Sequence, residues 1–205
     1  MKDIIGIDFD NTIAIYDDLI HKVAVKRGLI DRTFDKNKRL IRDHLRTFDN
    51  GEIIWQKVQS VIYGKRMHDA KIGQGFMTFM SLCKKKHIRA YIISHKTRTA
   101  LFDEANMDLR ETAIKWMKNK GLFDPNRTSL TPGEVYFEDT RIDKLHRIEK
   151  MQCTYFVDDL EETFYEYGFP KKVKKILYDP RNNGRTNSND MTIVSNWAEI
   201  TRIFS

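Results

Sequence analysis

The chain has 205 residues, 40% of them hydrophobic, which is enough for one domain with a buried core and a small appended lobe. It contains no apolar run near the roughly 20 residues that a transmembrane helix needs, and it enters a strand-like run without a cleavable signal. We therefore expect a soluble, cytoplasmic protein with no membrane partner. The net charge of +7 favours anionic partners, and most of the excess lies in residues 14–68, which carry twelve Lys/Arg against seven Asp/Glu.

The sequence gives no support for a zinc site or a disulfide framework. Cys83 and Cys153 lie in separate apolar segments, so we expect two reduced cysteines in the core. The six histidines show none of the spacings that are typical of zinc ligands.

The first predicted element is a buried parallel strand. The run DIIGIDFDNT is apolar and then polar, which indicates a strand that delivers Asp8 to its C-terminal end. From about residue 16 to 64, apolar residues recur at helical spacing in three groups with no strand between them. These three helices indicate an insertion directly after the first strand.

Helices and strands then alternate along the chain. The predicted order is helix GFMTFMSLCKKK, strand HIRAYIIS, helix DLRETAIKWMKNKG, strand EVYFED, helix RIDKLHRIEKM, strand CTYFVDD and strand VKKILYD. This alternation predicts an α/β fold with a Rossmann-like, mostly parallel sheet joined by right-handed crossovers. The Asn/Gly-rich residues 179–190 predict a loop.

Several polar side chains fall where ligands bind in such a sheet, beyond the C-terminal ends of the strands. They are Asp8, Ser94, Asp158 and Asp159. Asp10 lies two residues after Asp8, so carboxylates that would repel one another are gathered at one edge. A shared hard cation such as Mg²⁺ relieves that repulsion, because Mg²⁺ prefers oxygen ligands.

This cluster suits phosphoryl transfer. A carboxylate can attack phosphorus to give an aspartyl-phosphate, and we assign that role to Asp8. Asp10 is placed to protonate the leaving oxygen and then to deprotonate the attacking water. The transferring group also needs donors and positive charge, which Ser94 and Lys144 can supply. Next to Asp10, Asn11 suits a turn and Thr12 can hydrogen-bond locally.

Four short segments resemble, in order, the motifs of the haloacid dehalogenase-like (HAD) hydrolase superfamily. The first is IDFDNT, the second is IISHK, the third is a lysine in the helix that precedes YFVDD, and the fourth is YFVDD itself. In that family the first Asp of D-x-D-x-T is the nucleophile, and a second Asp two residues on marks phosphatases and phosphotransferases. The resemblance spans residues 4 to about 160 and implies a HAD-like core at 1–13 and 69–205, with a small helical cap at 14–68 that selects the substrate.

The resemblance also implies roles for individual residues. Asp8 and Asp158 would ligate Mg²⁺ through their side chains, Asp10 would do so through its backbone carbonyl, and Asp159 would join or support the metal. Ser94 would bind phosphate, and we expect Thr12 to bind the substrate. The family lysine is either Lys144 or Lys150; we prefer Lys144, because Lys150 lies nearly two helical turns further from the strand ends.

Other interpretations of these residues remain open. Acidic pairs also occur on solvated turns, and Ser94 could simply cap a strand end. His95, Lys96 and Arg98 are either solvated loop residues or substrate contacts.

The leading functional hypothesis is an Mg²⁺-dependent phosphatase for a small phosphorylated metabolite, such as a sugar phosphate or a nucleotide. One alternative is a nucleic-acid end phosphatase, in which the basic cap follows a phosphate backbone. It is not favoured, because no nucleic-acid-binding motif is found. Another alternative is a non-catalytic phosphate-binding module. The sequence does not determine the substrate, the pathway or the oligomeric state.

Overall fold

The computed structural model describes residues 3–102, 107–181 and 190–205. The chain folds into two compact units. We call Met1–Ala14, Ile72–Lys96 and Met117–Ser205 the α/β unit, and Ile15–Lys71 with Thr97–Trp116 the helical unit.

Strands and helices alternate in the α/β unit, and three helices follow one another in the helical unit. The strands are β1 (Ile4–Ile7), β2 (Ala14–Ile15), β3 (Lys71–Ile72), β4 (Arg89–His95), β5 (Val135–Glu138), β6 (Tyr155–Asp158), β7 (Lys174–Tyr178) and β8 (Met191–Val194). The helices are α1 (Asp17–Lys26), α2 (Lys38–Leu45), α3 (Gly51–Tyr63), α4 (Phe76–Lys85), α5 (Leu109–Asn119), α6 (Arg141–Lys150), α7 (Glu161–Tyr165) and α8 (Trp197–Ile203). Single 3₁₀ turns occur at Met67–Asp69 and Pro132–Glu134.

The main sheet has six strands in the order β5-β4-β1-β6-β7-β8, and each neighbouring pair is parallel. The predicted α/β fold with a Rossmann-like parallel sheet is confirmed. The sheet has one strand more than expected, since β8 and the helix α8 were not predicted. Most of the loop predicted at 179–190, residues 182–189, lies outside the described residues.

Strand β1 lies in the centre of this sheet because it can be buried on both faces. Ile5 and Ile7 are fully buried, and each contributes on the order of 1.5–3 kcal/mol by leaving water. Gly6 lies between them against the ring of Phe156, where an added Cβ would stand 2.5 Å from Cδ2.

Cys83 and Cys153 are buried and unpaired, as expected, and burial raises the pKa of both thiols to about 12.

The helical unit has its own core, formed by buried residues of α2 and α3 such as Ile41, Leu45, Trp55 and Val58. This unit also includes residues 97–116, which the sequence analysis assigned to the core domain. Trp116 joins it by donating an indole hydrogen bond to the Ala70 carbonyl, at 3.2 Å. Of the helices within the described ranges, none combines the length and the hydropathy that crossing a membrane requires.

Candidate active site

Three adjacent strands of the α/β unit end at the same edge of the sheet and bring the predicted polar residues together. Ile7 in β1 is level with Ile92 in β4 and Val157 in β6. The chain leaves β1 at Asp8, whose amide donates to the Val157 carbonyl at 2.9 Å. Because the strands are parallel, Asp8, Ser94 and Asp158 meet at the carboxyl edge.

The carboxylate of Asp8 is the centre of a buried hydrogen-bond network. Its Oδ1 accepts from Ser94 Oγ at 2.9 Å and from Lys144 Nζ at 2.6 Å. Lys144 Nζ also donates to Asp158 Oδ2, at 2.7 Å. None of these four residues is more than 5% exposed, so the ammonium group and both carboxylates interact with little screening by water.

Helix α6 delivers Lys144 to this network. The helix begins after Thr140, whose hydroxyl caps it by accepting from the Asp143 amide at 3.0 Å. Lys144 lies on the buried face of the first turns, whereas Lys150, at the last position of α6, is exposed. Lys144 is therefore the lysine that contacts the two carboxylates.

Burial controls the ionisation of Asp8. Removal from water raises the pKa of this carboxyl group to about 6; Lys144 opposes the shift, while the charges of Asp158 and Asp10 add to it. Burial also disfavours the charged form of Lys144, but Asp158 and Asp8 outweigh that effect and raise its pKa above the ordinary value.

The carboxylates of this edge suit a hard divalent cation. Oxygens of Asp8, Asp158 and Asp159 all lie within 4.8 Å of one another. Their negative charge exceeds what one lysine neutralises, and carboxylate oxygens are ligands that Mg²⁺ prefers. The donor set therefore fits Mg²⁺.

Asp10 is held by a lysine that the sequence analysis did not select. Lys96 Nζ lies 2.9 Å from Oδ2 and 3.2 Å from Oδ1 of Asp10, and 5.5 Å from the centre of the Phe9 ring. The side chain of Lys96 is 3% exposed and that of Asp10 is 20% exposed. Lys96 therefore binds both oxygens of Asp10 in a setting nearly closed to water.

Period-two alternation at the end of β4 explains this placement. Ser94 and Lys96 are two residues apart and both are buried, while His95 between them is exposed. Arg98 belongs to the helical unit, where it pairs with Asp108 at 2.7 Å. The alternation in the sequence SHK could have indicated that Lys96 shares a face with Ser94.

A tight turn follows Asp10. Asn11 has φ 64°, in the left-handed region that Asn tolerates, and its amide donates to the Ala14 carbonyl at 2.7 Å. The hydroxyl of Thr12 is fully buried and makes no hydrogen bond with the described residues, so the local side-chain bond expected of it is absent. Its carbonyl instead accepts from the Trp197 indole at 3.2 Å. The role of Thr12 in substrate binding stays a prediction.

The parallel α/β sheet with its flanking helices places the fold in the Rossmann-like class, in which ligands bind beyond the carboxyl ends of the strands. Comparison with solved structures identifies the fold more narrowly, as that of the HAD-superfamily hydrolases. No protein-family model and no curated protein matches the sequence.

Three of the similar structures show the extent of the likeness in TM-score, sequence identity and coverage. A haloacid dehalogenase-like hydrolase from Streptococcus pneumoniae has a TM-score of 0.60 at 14% identity, over 100% of this chain and 99% of the other. The HAD hydrolase YfnB from Bacillus subtilis, bound to magnesium, has a TM-score of 0.58 at 11% identity, over 99% and 98%. A dehalogenase has a TM-score of 0.54 at 12% identity, over 98% and 96%. At these identities the likeness establishes the fold alone.

Proposed function

We propose that this chain is an Mg²⁺-dependent phosphohydrolase that cleaves a small phosphorylated metabolite, such as a sugar phosphate or a nucleotide. The observation that carries the proposal is the contact of the Asp8 carboxylate with the Ser94 hydroxyl and the Lys144 ammonium. A nucleophile thus lies beside a hydroxyl donor and a positive charge, which are the groups that a phosphoryl group needs around it.

In the first half-reaction, an oxygen of Asp8 attacks phosphorus and the bond from phosphorus to the leaving oxygen breaks. Asp10 gives its proton to that oxygen, so the alcohol leaves uncharged and Asp8 carries the phosphoryl group. Lys144 and Ser94 donate to the phosphoryl oxygens. Lys96 contacts the Asp10 carboxyl group at both oxygens and so fixes its orientation, both when Asp10 carries the proton and after it has given it up.

In the second half-reaction, Asp10 removes a proton from a water molecule, and the resulting hydroxide attacks phosphorus. The bond between phosphorus and the Asp8 oxygen breaks, which releases inorganic phosphate and restores both carboxyl groups to their starting states. Asp8, Asp158 and Asp159 would hold Mg²⁺, with the Asp10 carbonyl as a further ligand. When bound, the ion supplies positive charge that offsets the charge of the phosphoryl group.

Asp10 favours phosphoryl transfer over dehalogenation. A halide leaves as a stable anion and needs no proton, whereas an alkoxide leaving from phosphorus does. A second carboxyl group two residues after the nucleophile is therefore useful to a phosphatase and has no evident role in displacing a halide.

The test is a phosphate-release screen over sugar phosphates, nucleotides and 3′-phosphorylated oligonucleotides, together with 2-chloropropionate as a dehalogenase substrate. We expect phosphate release that requires Mg²⁺ and stops with EDTA. Asp8→Asn should lower kcat by roughly 10³-fold or more, because it removes the nucleophile. Asp49→Asn, an equivalent change at an exposed position of the helical unit, should behave as wild type.

Two outcomes would contradict the proposal. One is chloride release from 2-chloropropionate with no phosphate release from any substrate. The other is phosphate release by Asp8→Asn at the wild-type rate, which would mean that another group carries the reaction.

A further inference from the structure

The helical unit contains an open cleft of about 460 Å³ beside the end of α1, which is within the size range of small-ligand sites. Apolar residues from the end of α1 and the segment after it line part of the cleft, and two rings and two charged groups line the rest. The lining residues are Val25, Gly28, Leu29, Ile30, Asp31, Arg32, Phe34 and His44.

Aromatic rings form one wall of this cleft and continue beyond it. The rings of Phe34 and His44 lie 5.0 Å apart at 40°, and those of His44 and Phe48 lie 5.1 Å apart at 74°. A turn fixes Phe34, since its amide donates to the Asp31 carbonyl at 3.1 Å. Phe48 is 37% exposed, so part of this aromatic row remains open to solvent.

Together with the rings, the two charged groups in the lining of the cleft suit a ligand that is both aromatic and anionic. The exposed Arg32 side chain makes no ion pair or hydrogen bond with the described residues, so its planar guanidinium is available to an anion. Asp31, next to it, offers a hydrogen-bond acceptor. The unit around them is basic, since residues 14–68 carry twelve Lys/Arg against seven Asp/Glu.

We propose that this cleft binds a nucleotide. The base stacks on the wall formed by Phe34 and His44, the phosphate binds the guanidinium of Arg32, and the Asp31 carboxylate accepts from an amino group of the base. Aromatic faces combined with positive charge recognise bases and phosphates in this way because every base has a π-face and every nucleotide is anionic. The exposed continuation to Phe48 leaves room for a neighbouring base.

The proposal is independent of phosphatase activity, because it concerns binding to the helical unit. It is tested in the full-length Asp8→Asn chain, so that a nucleotide is not consumed during the measurement. The probes are adenosine 5′-monophosphate, adenosine without the phosphate, and ribose 5-phosphate without the base. The readout is the ring resonance of His44 in histidine-labelled protein, assigned with His44→Gln.

We expect adenosine 5′-monophosphate to shift the His44 resonance and to bind about tenfold more tightly than either fragment, since each fragment lacks one of the two contacts. Phe34→Leu and Arg32→Gln should each weaken binding by about fivefold to tenfold. The matched controls, Tyr167→Leu and Lys65→Gln, remove an exposed ring and an exposed charge outside the cleft and should leave binding within about twofold of the parent.

Labelled oligo-dA, compared with deoxyadenosine 5′-monophosphate, distinguishes the source of the nucleotide. Tighter binding of the strand, with affinity that falls steeply with salt, assigns the cleft to single-stranded nucleic acid; equal or weaker binding assigns it to free nucleotides. The proposal is wrong if ribose 5-phosphate matches adenosine 5′-monophosphate, or if Phe34→Leu leaves both the affinity and the His44 shift unchanged.

Discussion

Burial and ionisation oppose each other at Asp8, and this opposition has a measurable effect on stability. The pKa of Asp8 is about 6 in the folded chain, against an ordinary value of 3.8. Between these two values the folded state binds the proton more tightly than the unfolded state. Ionisation of Asp8 therefore reduces the free energy of unfolding as the pH rises from about 4 to about 6, with no further loss above that range.

Asp8→Asn should remove this loss, because the amide cannot ionise. In urea denaturation with EDTA, we expect the free energy of unfolding of the variant, relative to wild type, to increase from about pH 4 to about pH 6 and then to level off. If the difference between the two proteins is the same at every pH, the pKa of Asp8 is the same in the folded and the unfolded chain.

Lys96 gives a second prediction at the scale of one residue. Lys96→Met should lower kcat by about tenfold or more with a smaller change in KM, because Asp10 loses the contact that fixes its two oxygens. Lys96→Arg, which keeps the charge, should restore part of kcat. Thermal melts of both variants separate this effect from a loss of folding. An unchanged kcat in Lys96→Met would show that Asp10 needs no such support.

Lys144 and Lys96 both contact aspartates of the site, but the sequence indicates their positions to different extents. The end of an apolar strand is visible in the sequence, so the places of Asp8, Ser94 and Asp158 could be predicted. Lys144 follows from its position near the start of a helix next to the site. The alternation in SHK indicates only that Lys96 shares a face with Ser94. It does not indicate that Lys96 is buried, since a buried lysine depends on a partner from another segment, here Asp10.

At the scale of elements, helical periodicity and apolar runs were sufficient for five of the six parallel strands. Strand β8 has only four residues and comes directly after the Asn/Gly-rich segment, so neither its length nor its flanks distinguish it. The helix α8 that follows is also short, and its importance lies in one side chain, that of Trp197. Trp197 is fully buried against Phe76 and Phe79, and it donates to the Thr12 carbonyl in the turn after Asp10.

Trp197→Phe should therefore affect both stability and activity. The smaller ring leaves a cavity that costs on the order of 1–3 kcal/mol, and loss of the indole donor frees the turn that carries Asp10. Trp116→Phe is the matched control, because Trp116 is also buried and donates to the Ala70 carbonyl of the helical unit. We expect similar losses of thermal stability and a lower kcat only for Trp197→Phe. Equal kcat in both variants would mean that the turn holds its shape without α8.

At the scale of the whole molecule, the extent of each unit depends on contacts between segments that are distant in the sequence. The absence of strands between residues 16 and 64 indicated a helical insertion. Residues 97–116 lie far from it in sequence, and their inclusion in the helical unit depends on tertiary contacts such as that of Trp116 with Ala70. A periodic pattern reports which face of a helix is buried, but it does not report the partner against which that face packs.

The uneven charge of the chain leads to a prediction that concerns the molecule as a whole. If the basic segment attracts anionic substrates, reversing its charges should raise KM several-fold at low salt while changing kcat by less than about twofold. The effect should shrink as added salt screens the charges.

The test compares two triple variants that have the same change in net charge. One carries Lys38→Glu, Arg39→Glu and Arg42→Glu in α2, and the other carries Lys171→Glu, Lys172→Glu and Lys174→Glu in the α/β unit. A larger KM increase for the α2 variant supports a local role of the basic segment, and equal increases indicate that only net charge matters. An unchanged KM in both would mean that these charges do not act on the substrate.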